Sequence, residues 1–396
     1  MKNILNIFRK VKLLKDMKIR LRTGPHPIKW SPVCVKSSIE TEYNSASLIG
    51  TDSKEIPCQI DKAGDSTILT WIVESAPANT EIVYQFKPCG SGVTSTDTVE
   101  VIEAGSSKLS VNIDGRLFTE YNYGTDWVRP FLYPVIGPNG AGITRNWPIK
   151  EGIPGESTDH KHHKGIYIAY GDINKTDNWS EDGPHGCIRH KCFDVLESGP
   201  VYGRFRSIND WVDHNGNQQM EDVRQFTFYN CPAGERIIDV EVKLIASYGD
   251  VHFGGTKEGG MISVRVATSM DGNKGGRIVN SYGGETERET WGKPAHWVDY
   301  YGPVQGDIVG IAIMDHPDSF RYPSRWHVRD YGLFTANVFA LQDYEPHKGI
   351  SGDFLLKEGG SLYFRYRLYI HSGNTDQADV RNKYLAFIEP PSIKVE

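Results

Sequence analysis

The chain has 396 residues, with 44 Lys and Arg against 50 Asp and Glu, and a formal net charge of −6. That length exceeds one ordinary domain of roughly 100–200 residues, and the mildly acidic balance, with no basic stripe beyond the N-terminal segment, argues against a nucleic-acid partner. The 41 Gly and 21 Pro leave little room for long helices and favour short strands joined by tight turns.

In chain order, residues 1–17 form a basic segment without the unbroken apolar run of a signal peptide. It reads as a frayed helix or a surface anchor. No stretch of about 18 apolar residues occurs anywhere, so no membrane span is expected. With no leader evident and six irregularly spaced cysteines, reduced thiols and a cytoplasmic location are the default, with the periplasm left open. Residues 18–98 read as a small β-sandwich-like module. Lys18–Arg22 alternates, Ile68–Val73 is rich in β-branched and aromatic residues, Glu81–Phe86 adds a strand, and Gly90-Ser-Gly92 is a turn cluster. The module carries no cluster of His or carboxylates and reads as scaffold.

Residues 99–396 read as the main body. Lys108–Ile113 alternates and runs into Asp114-Gly115, a strong hairpin signal. Further strands are expected at Gly165–Tyr170, Val223–Tyr229, Ile237–Ile245, Met261–Ala267, Ile308–Ile313 and Ser361–Ile370. Only Gln377–Ala386 looks helical. So many strands and no fixed repeat imply an all-β fold, a large antiparallel β-sandwich preceded by the small module.

Four segments could carry chemistry. Asp159-His-Lys-His-His-Lys-Gly165 holds three of the 13 His. If the following strand begins early, period two puts His160 and His162 on one face and His163 on the other with Tyr167. Each imidazole edge needs a polar partner, which suits a cleft mouth better than a dry core. A solvated loop and a metal site are the alternatives, and the spacing speaks against the metal. Phe253-Gly-Gly-Thr-Lys-Glu-Gly-Gly260 sets Lys257 and Glu258 among glycines that permit close ligand approach; an exposed ion pair explains it nearly as well. In Arg325–Gly332, alternation puts His327, Arg329 and Tyr331 on one face and Trp326, Val328 and Asp330 on the other. Trp stacking with charged hydrogen bonds suits a sugar, against a buried Arg–Asp staple. In Trp127–Pro138, three prolines make an extended path, and Arg129 could clamp an anion or a hydroxyl. His185, His296, His316 and His347 are isolated and read as structural.

The segments Arg129–Pro134, Thr144–Pro148, Pro154–Gly165, Thr256–Gly259, Trp291–Tyr300, Trp326–Gly332 and His371–Gly373 stand in one consistent order. Together they make the chain resemble the bacterial PmoA-like family of unknown function over about residues 120–375. The label "methane oxygenase" attached to that family does not suit this chain, since a methane monooxygenase subunit is a multi-helix membrane protein. The resemblance implies an architecture similar to galactose mutarotases, a β-supersandwich with a His acid and a Glu base on its concave sheet. It makes His162, His163, His327 and Glu258 the catalytic candidates. Arg129, His160, Lys164, Lys257, Trp326, Arg329 and Asp330 become the substrate-binding ones. Mutarotases carry their Glu near the C-terminus, whereas Glu258 lies mid-chain.

The expected function is a carbohydrate-active enzyme, a glycoside hydrolase, lyase or sugar epimerase, using His/Glu general acid–base chemistry without cofactor or metal. The excess of His over acids tilts this towards lyase or epimerase. A non-catalytic carbohydrate-binding protein and a metal-dependent sugar lyase are the alternatives. The partner is a small-molecule or oligosaccharide substrate, and homo-oligomers are left open.

Overall fold

A computed structural model describes residues 17–38, 43–88 and 98–396. The expectations for residues 1–16, for the Gly90–Gly92 turn and for Cys89 lie outside the described residues. The chain is 52% strand and 7% helix, the all-β fold that the turn-rich composition implies. No helix among the described residues is long and apolar enough to cross a membrane.

Strands Lys18–Arg22, Ile28–Ser37, Ser45–Ile49, Glu55–Ala63, Ser66–Ala76 and Glu81–Pro88 form a seven-stranded antiparallel sheet, completed at its edge by Ser392–Val395. The end of the chain thus returns across the boundary expected at residues 98 and 99. Ile19, Leu21, Leu48, Trp71 and Phe86 make the buried core of this sheet. Gln59 Oε1 accepts the backbone N–H groups of Val201 and Tyr202, and Lys383 donates to the Lys29 carbonyl, tying the sheet to the body.

The body is two eight-stranded sheets face to face. One runs, in spatial order, Arg325–Arg329, Leu333–Asn337, Gly259–Arg265, Ile166–Tyr170, Phe131–Val135, Arg116–Asn122, Lys108–Ile113 and Val99–Glu103. The other contains the long strands Cys187–Glu197, Tyr202–Val212, Gln218–Tyr229, Glu235–Ile245 and Ser361–Ser372, with Asp307–Asp315, Trp297–Val304 and Arg277–Asn280. Asp114 and Gly115 take positive φ of 52° and 68°, as a tight two-residue hairpin requires. The expected helix occurs at Val380–Ile388, a few residues later than the pattern suggests, because Asp379 adopts a left-handed conformation immediately before it.

Side-chain alternation in the first sheet decides where chemistry can sit. Ile166, Ile168, Tyr170, Ile262, Val264, Phe334, Ala336, Trp326 and Val328 point into the core between the sheets. On the other face, Tyr167, Ser263, Thr335 and His327 lie in one row across four adjacent strands, and Arg265, Leu333 and Arg329 lie in the next. This outer face, covered by the loop from 145 to 165, is the polar surface of the sheet.

Candidate functional site

The histidine segment is held from beneath by buried arginines. Strand Ile166–Tyr170 begins only after Gly165, so residues 160–163 form a turn in which the His163 N–H donates to the His160 carbonyl. The expected split of the three rings between two faces therefore does not occur. All three cluster, with centroids 5.7, 5.0 and 4.3 Å apart for the 160–162, 160–163 and 162–163 pairs. Arg145, fully buried, donates to the carbonyls of Asp159, His160 and His163 at 2.7, 2.8 and 3.1 Å and to Asp159 Oδ1 at 2.6 Å. Arg129 donates to the carbonyls of His162, Asn178 and Trp179. Lys164 Nζ donates to both oxygens of Glu181, which also faces Arg129 at 3.2 Å.

Above this scaffold, Arg265 Nη1 lies 3.3 Å from His163 Nδ1. A guanidinium can only donate, so Nδ1 accepts and the neutral ring carries its proton on Nε2. Tyr331 stacks on His160 at 4.9 Å and lies between the guanidinium groups of Arg265 and Arg329, at 4.9 and 5.7 Å. At the sheet edge, His327 Nδ1 is 2.7 Å from the Lys257 carbonyl. A carbonyl can only accept, so Nδ1 donates and Nε2 keeps its lone pair. That Nε2 is buried and has no hydrogen-bond partner among the described residues. Trp291 flanks His327 edge-on at 6.5 Å. Lys257 pairs with Glu258, and Arg329 pairs with Glu287 at 2.6 Å.

Burial, followed by the charge of Arg129, pushes His162 down to about 3. Burial, followed by His162 and Arg265, holds His163 well below the usual histidine range. Burial lowers His327 too, opposed by its bond to Lys257 and by the charge of Glu258. Lys164 falls to about 8 by burial, partly offset by Glu181. The Asp159 carboxyl is lowered because Arg265, His160 and Arg145 outweigh its burial. Asp271, below the Gly332 turn, is raised to about 6 by burial against the pull of Arg265. Three buried imidazoles thus stay neutral near pH 7, where they can accept or donate a proton rather than serve as fixed charges.

Of the expected site residues, the structure brings His160, His162 and His163 together with Tyr331. Tyr331 in turn feels the charge of Glu258, as does His327. Others stand differently. Trp326 faces the sandwich core with no exposure, and its Nε1 donates to the Ala295 carbonyl, so it cannot stack on a ligand. Arg129 and Lys164 are buried and committed to the His162 and Trp179 carbonyls and to Glu181, so they shape the loop rather than reach a substrate. Asp330 lies on the hairpin turn and accepts the Glu287 N–H, at the start of the short helix Thr286–Thr290. Sequence reasoning missed Arg145, Arg265, Trp179 and Asp271, and named Tyr167 only as sharing a face with His163. Arg265 left a visible signal, a charge that alternates with Ser263 against the apolar Ile262, Val264 and Val266. Among the described residues, no three His, Cys, Asp or Glu side chains are grouped to hold a metal ion.

The family described as a family of unknown function (DUF6807) matches residues 108–385. The chain belongs to that family. The DUF6807 span covers every residue of the site and leaves out the strands of the N-terminal sheet before residue 108. No curated protein matches this DUF6807 chain. Among solved structures, it is similar to a protein of glycosyl hydrolase family 38 from Enterococcus faecalis, at 12% identity and a TM-score of 0.44, over 98% of this chain and 48% of that one. It is similar also to an alpha-mannosidase from Enterococcus faecalis V583, again at 12% and 0.44, over 99% and 48%. The DUF6807 chain spans about half the length of each.

Proposed function

We propose that this chain is an enzyme that moves a proton on a neutral carbohydrate, isomerising or eliminating rather than hydrolysing it. The observation that carries the reading is the opposite tautomers of two neutral histidines on one sheet face. His163 presents an N–H and His327 presents a lone pair. The row His327, Thr335, Ser263 and Tyr167 spans three strand spacings, on the order of 14 Å at the backbone, and His163 packs beside Tyr167 at its far end, room for one sugar ring between a base and a donor. His327 takes the proton and His163 stabilises or protonates the oxygen on which charge develops.

Hydrolysis normally uses a carboxylic acid and a carboxylate flanking one bond. Here four carboxylates on this face are each bound to a cation: Glu258 to Lys257, Asp159 to Arg145 and Arg265, Glu181 to Lys164 and Arg129, Glu287 to Arg329; Asp271, raised to about 6 by burial, instead keeps a buried Oδ1 without a hydrogen-bond partner among the described residues. These pairs set six cations against four carboxylates, and Arg129, Arg145 and Arg265 among the cations are buried and committed to the loop beneath the site. The half-exposed His160 ring and the Trp291 ring offer apolar surface for the C–H face of a sugar. The motif resemblance to PmoA-like proteins, and through them to mutarotases, supports the same substrate class.

The test is a panel of neutral sugars, glycosides and their keto derivatives incubated in deuterated water and followed by NMR. Wild type should place deuterium at one carbon of its substrate, and His327→Asn should lose this by roughly 10²–10⁴-fold, the scale for losing a general base. Equal exchange in the variant, or turnover by bond hydrolysis with no carbon exchange, would overturn the assignment.

A further inference from the structure

We propose that Asp159 and His160 form the proton carrier of the site: His160 takes a proton from solvent and passes it to the oxygen that His163 holds. This rests on the proton-transfer reading above and supplies a step which that reading leaves open. His327 gains the proton removed from carbon. Isomerisation and elimination both also deliver a proton to an oxygen, and His163 is a poor source of it. Its Nδ1 accepts from Arg265 Nη1, so Nε2–H is its single proton, and giving that up would leave an imidazolate with both nitrogens bare. His163 can hold the oxygen by a hydrogen bond, and a second group has to supply the proton.

His160 has the features of that group. Its Nδ1 lies 2.7 Å from Asp159 Oδ2. The other carboxylate oxygen, Oδ1, accepts from Arg145 Nη1 at 2.6 Å and from Arg265 Nη2 at 2.9 Å. Arg265, His160 and Arg145 outweigh the burial of Asp159 and keep it ionised. An ionised carboxylate can only accept, so His160 Nδ1 donates and Nε2 keeps its lone pair. A proton added at Nε2 makes an imidazolium in contact with a carboxylate, which favours the charged ring. Arg265 ties the pair to the rest of the site, since Nη2 holds Asp159 while Nη1 faces His163.

Exposure separates His160 from the other imidazoles. Its side chain is 41% exposed, whereas His162, His163 and His327 are buried. The ring is held all the same. It lies parallel to His163 within 2° at 5.0 Å and to Tyr331 within 13° at 4.9 Å. The residue takes a φ of 44°, uncommon for any residue but Gly. Arg145 Nη2 and the His163 N–H both donate to its carbonyl and pin the turn. A sparsely populated backbone conformation fixed by its surroundings is a frequent mark of a working residue.

The transfer balances. An N–H bond forms at His160 Nε2 as a hydronium ion or buffer acid gives up its proton. That bond breaks as an O–H bond forms on the substrate, through one bridging water, and the ring returns to neutral. His327 then releases its proton to solvent.

Two measurements test the carrier. In the full chain carrying isotope-labelled histidine, long-range nitrogen–proton NMR in mildly alkaline buffer should show His160 with its proton on Nδ1. The opposite tautomer overturns the pair without any substrate. In the deuterium-exchange assay, His160→Asn should lower kcat by roughly 10²-fold, the low end of the general acid–base range because water reaches a half-exposed position, with KM little changed. Asn tolerates the left-handed turn, so Tm should hold. Added imidazole should restore turnover, and across a series of substituted imidazoles the restored rate should follow their acidity. Full kcat in His160→Asn overturns the carrier. So does a loss seen only as raised KM or lowered Tm with no dependence on the added acid, the signature of a ring that merely stacks or braces the turn. Exchange lost in His327→Asn and untouched in His160→Asn sinks the carrier alone. Exchange from no sugar in the wild type sinks the proton-transfer reading, and the carrier with it.

Discussion

Acidification should expose the buried neutral histidines through stability. His162 is pushed down to about 3, against about 6.5 in an unfolded chain. Its folded value is depressed, so between those two the unfolded state binds a proton that the native state refuses, and stability falls as pH falls. Nearly none of this is felt at about pH 7.5. At about pH 5 the loss is RT ln(1 + 10^1.5), about 2 kcal/mol, and it hardly depends on the native value so long as that stays well below 5. Whole-protein pH profiles will not isolate it, because Asp271 and Asp315, each raised to about 6, titrate in the same window with the opposite sign. The comparison of wild type with His162→Gln does isolate it. Urea unfolding followed by tryptophan fluorescence is the assay, since the Trp179 ring lies 5.8 Å from His162. Between the two pH values, wild type should lose about 2 kcal/mol more than the variant at an unchanged m-value. Equal losses would mean that His162 takes up its proton in the folded state, and the neutral-histidine description would fall.

Three further outcomes follow from the geometry. Trp326→Ala should cost about 3–5 kcal/mol, as for other large core truncations, seen as a large drop in Tm; a stable variant with only a raised KM would refute its core placement. Arg145→Lys keeps the charge but loses the fork that grips three carbonyls, so amide hydrogen exchange across residues 160–164 should accelerate, and unchanged protection would contradict the scaffold role. Glu258→Gln removes a charge that raises the His327 pKa, so the acidic limb of the rate profile should move to lower pH; a shift to higher pH would reverse the assigned sign.

The sandwich was legible because period-two patterns such as Lys108–Ile113 and Met261–Val266 need no tertiary knowledge to place one face inside. The histidine cluster was legible because three adjacent imidazoles are hard to bury without partners. Its geometry was not, since a turn closed by buried Arg145 replaces the strand that local alternation suggests, and Arg145 is far from any periodic pattern. Trp326 shows the same limit from the other side. Its alternate position was read correctly, but which face meets the core depends on the sheet opposite, and a stacking aromatic looks the same in sequence as a packed one. The seventh strand of the N-terminal sheet, Ser392–Val395, is short and lies more than 365 residues from its partner, from Arg22↔Ser392 to Ile19↔Val395, beyond any local signal.

That returning strand has a mechanical consequence. Lys18 and Glu396 exchange backbone hydrogen bonds of 2.9 and 2.8 Å, so both ends of the described chain leave the sheet at the same corner. A load applied there opens the strand pair from one end, breaking its few bonds one after another instead of shearing them together. The edge strand should therefore peel away at low force, acting as a fuse, before strain reaches the helix Val380–Ile388 and the two large sheets.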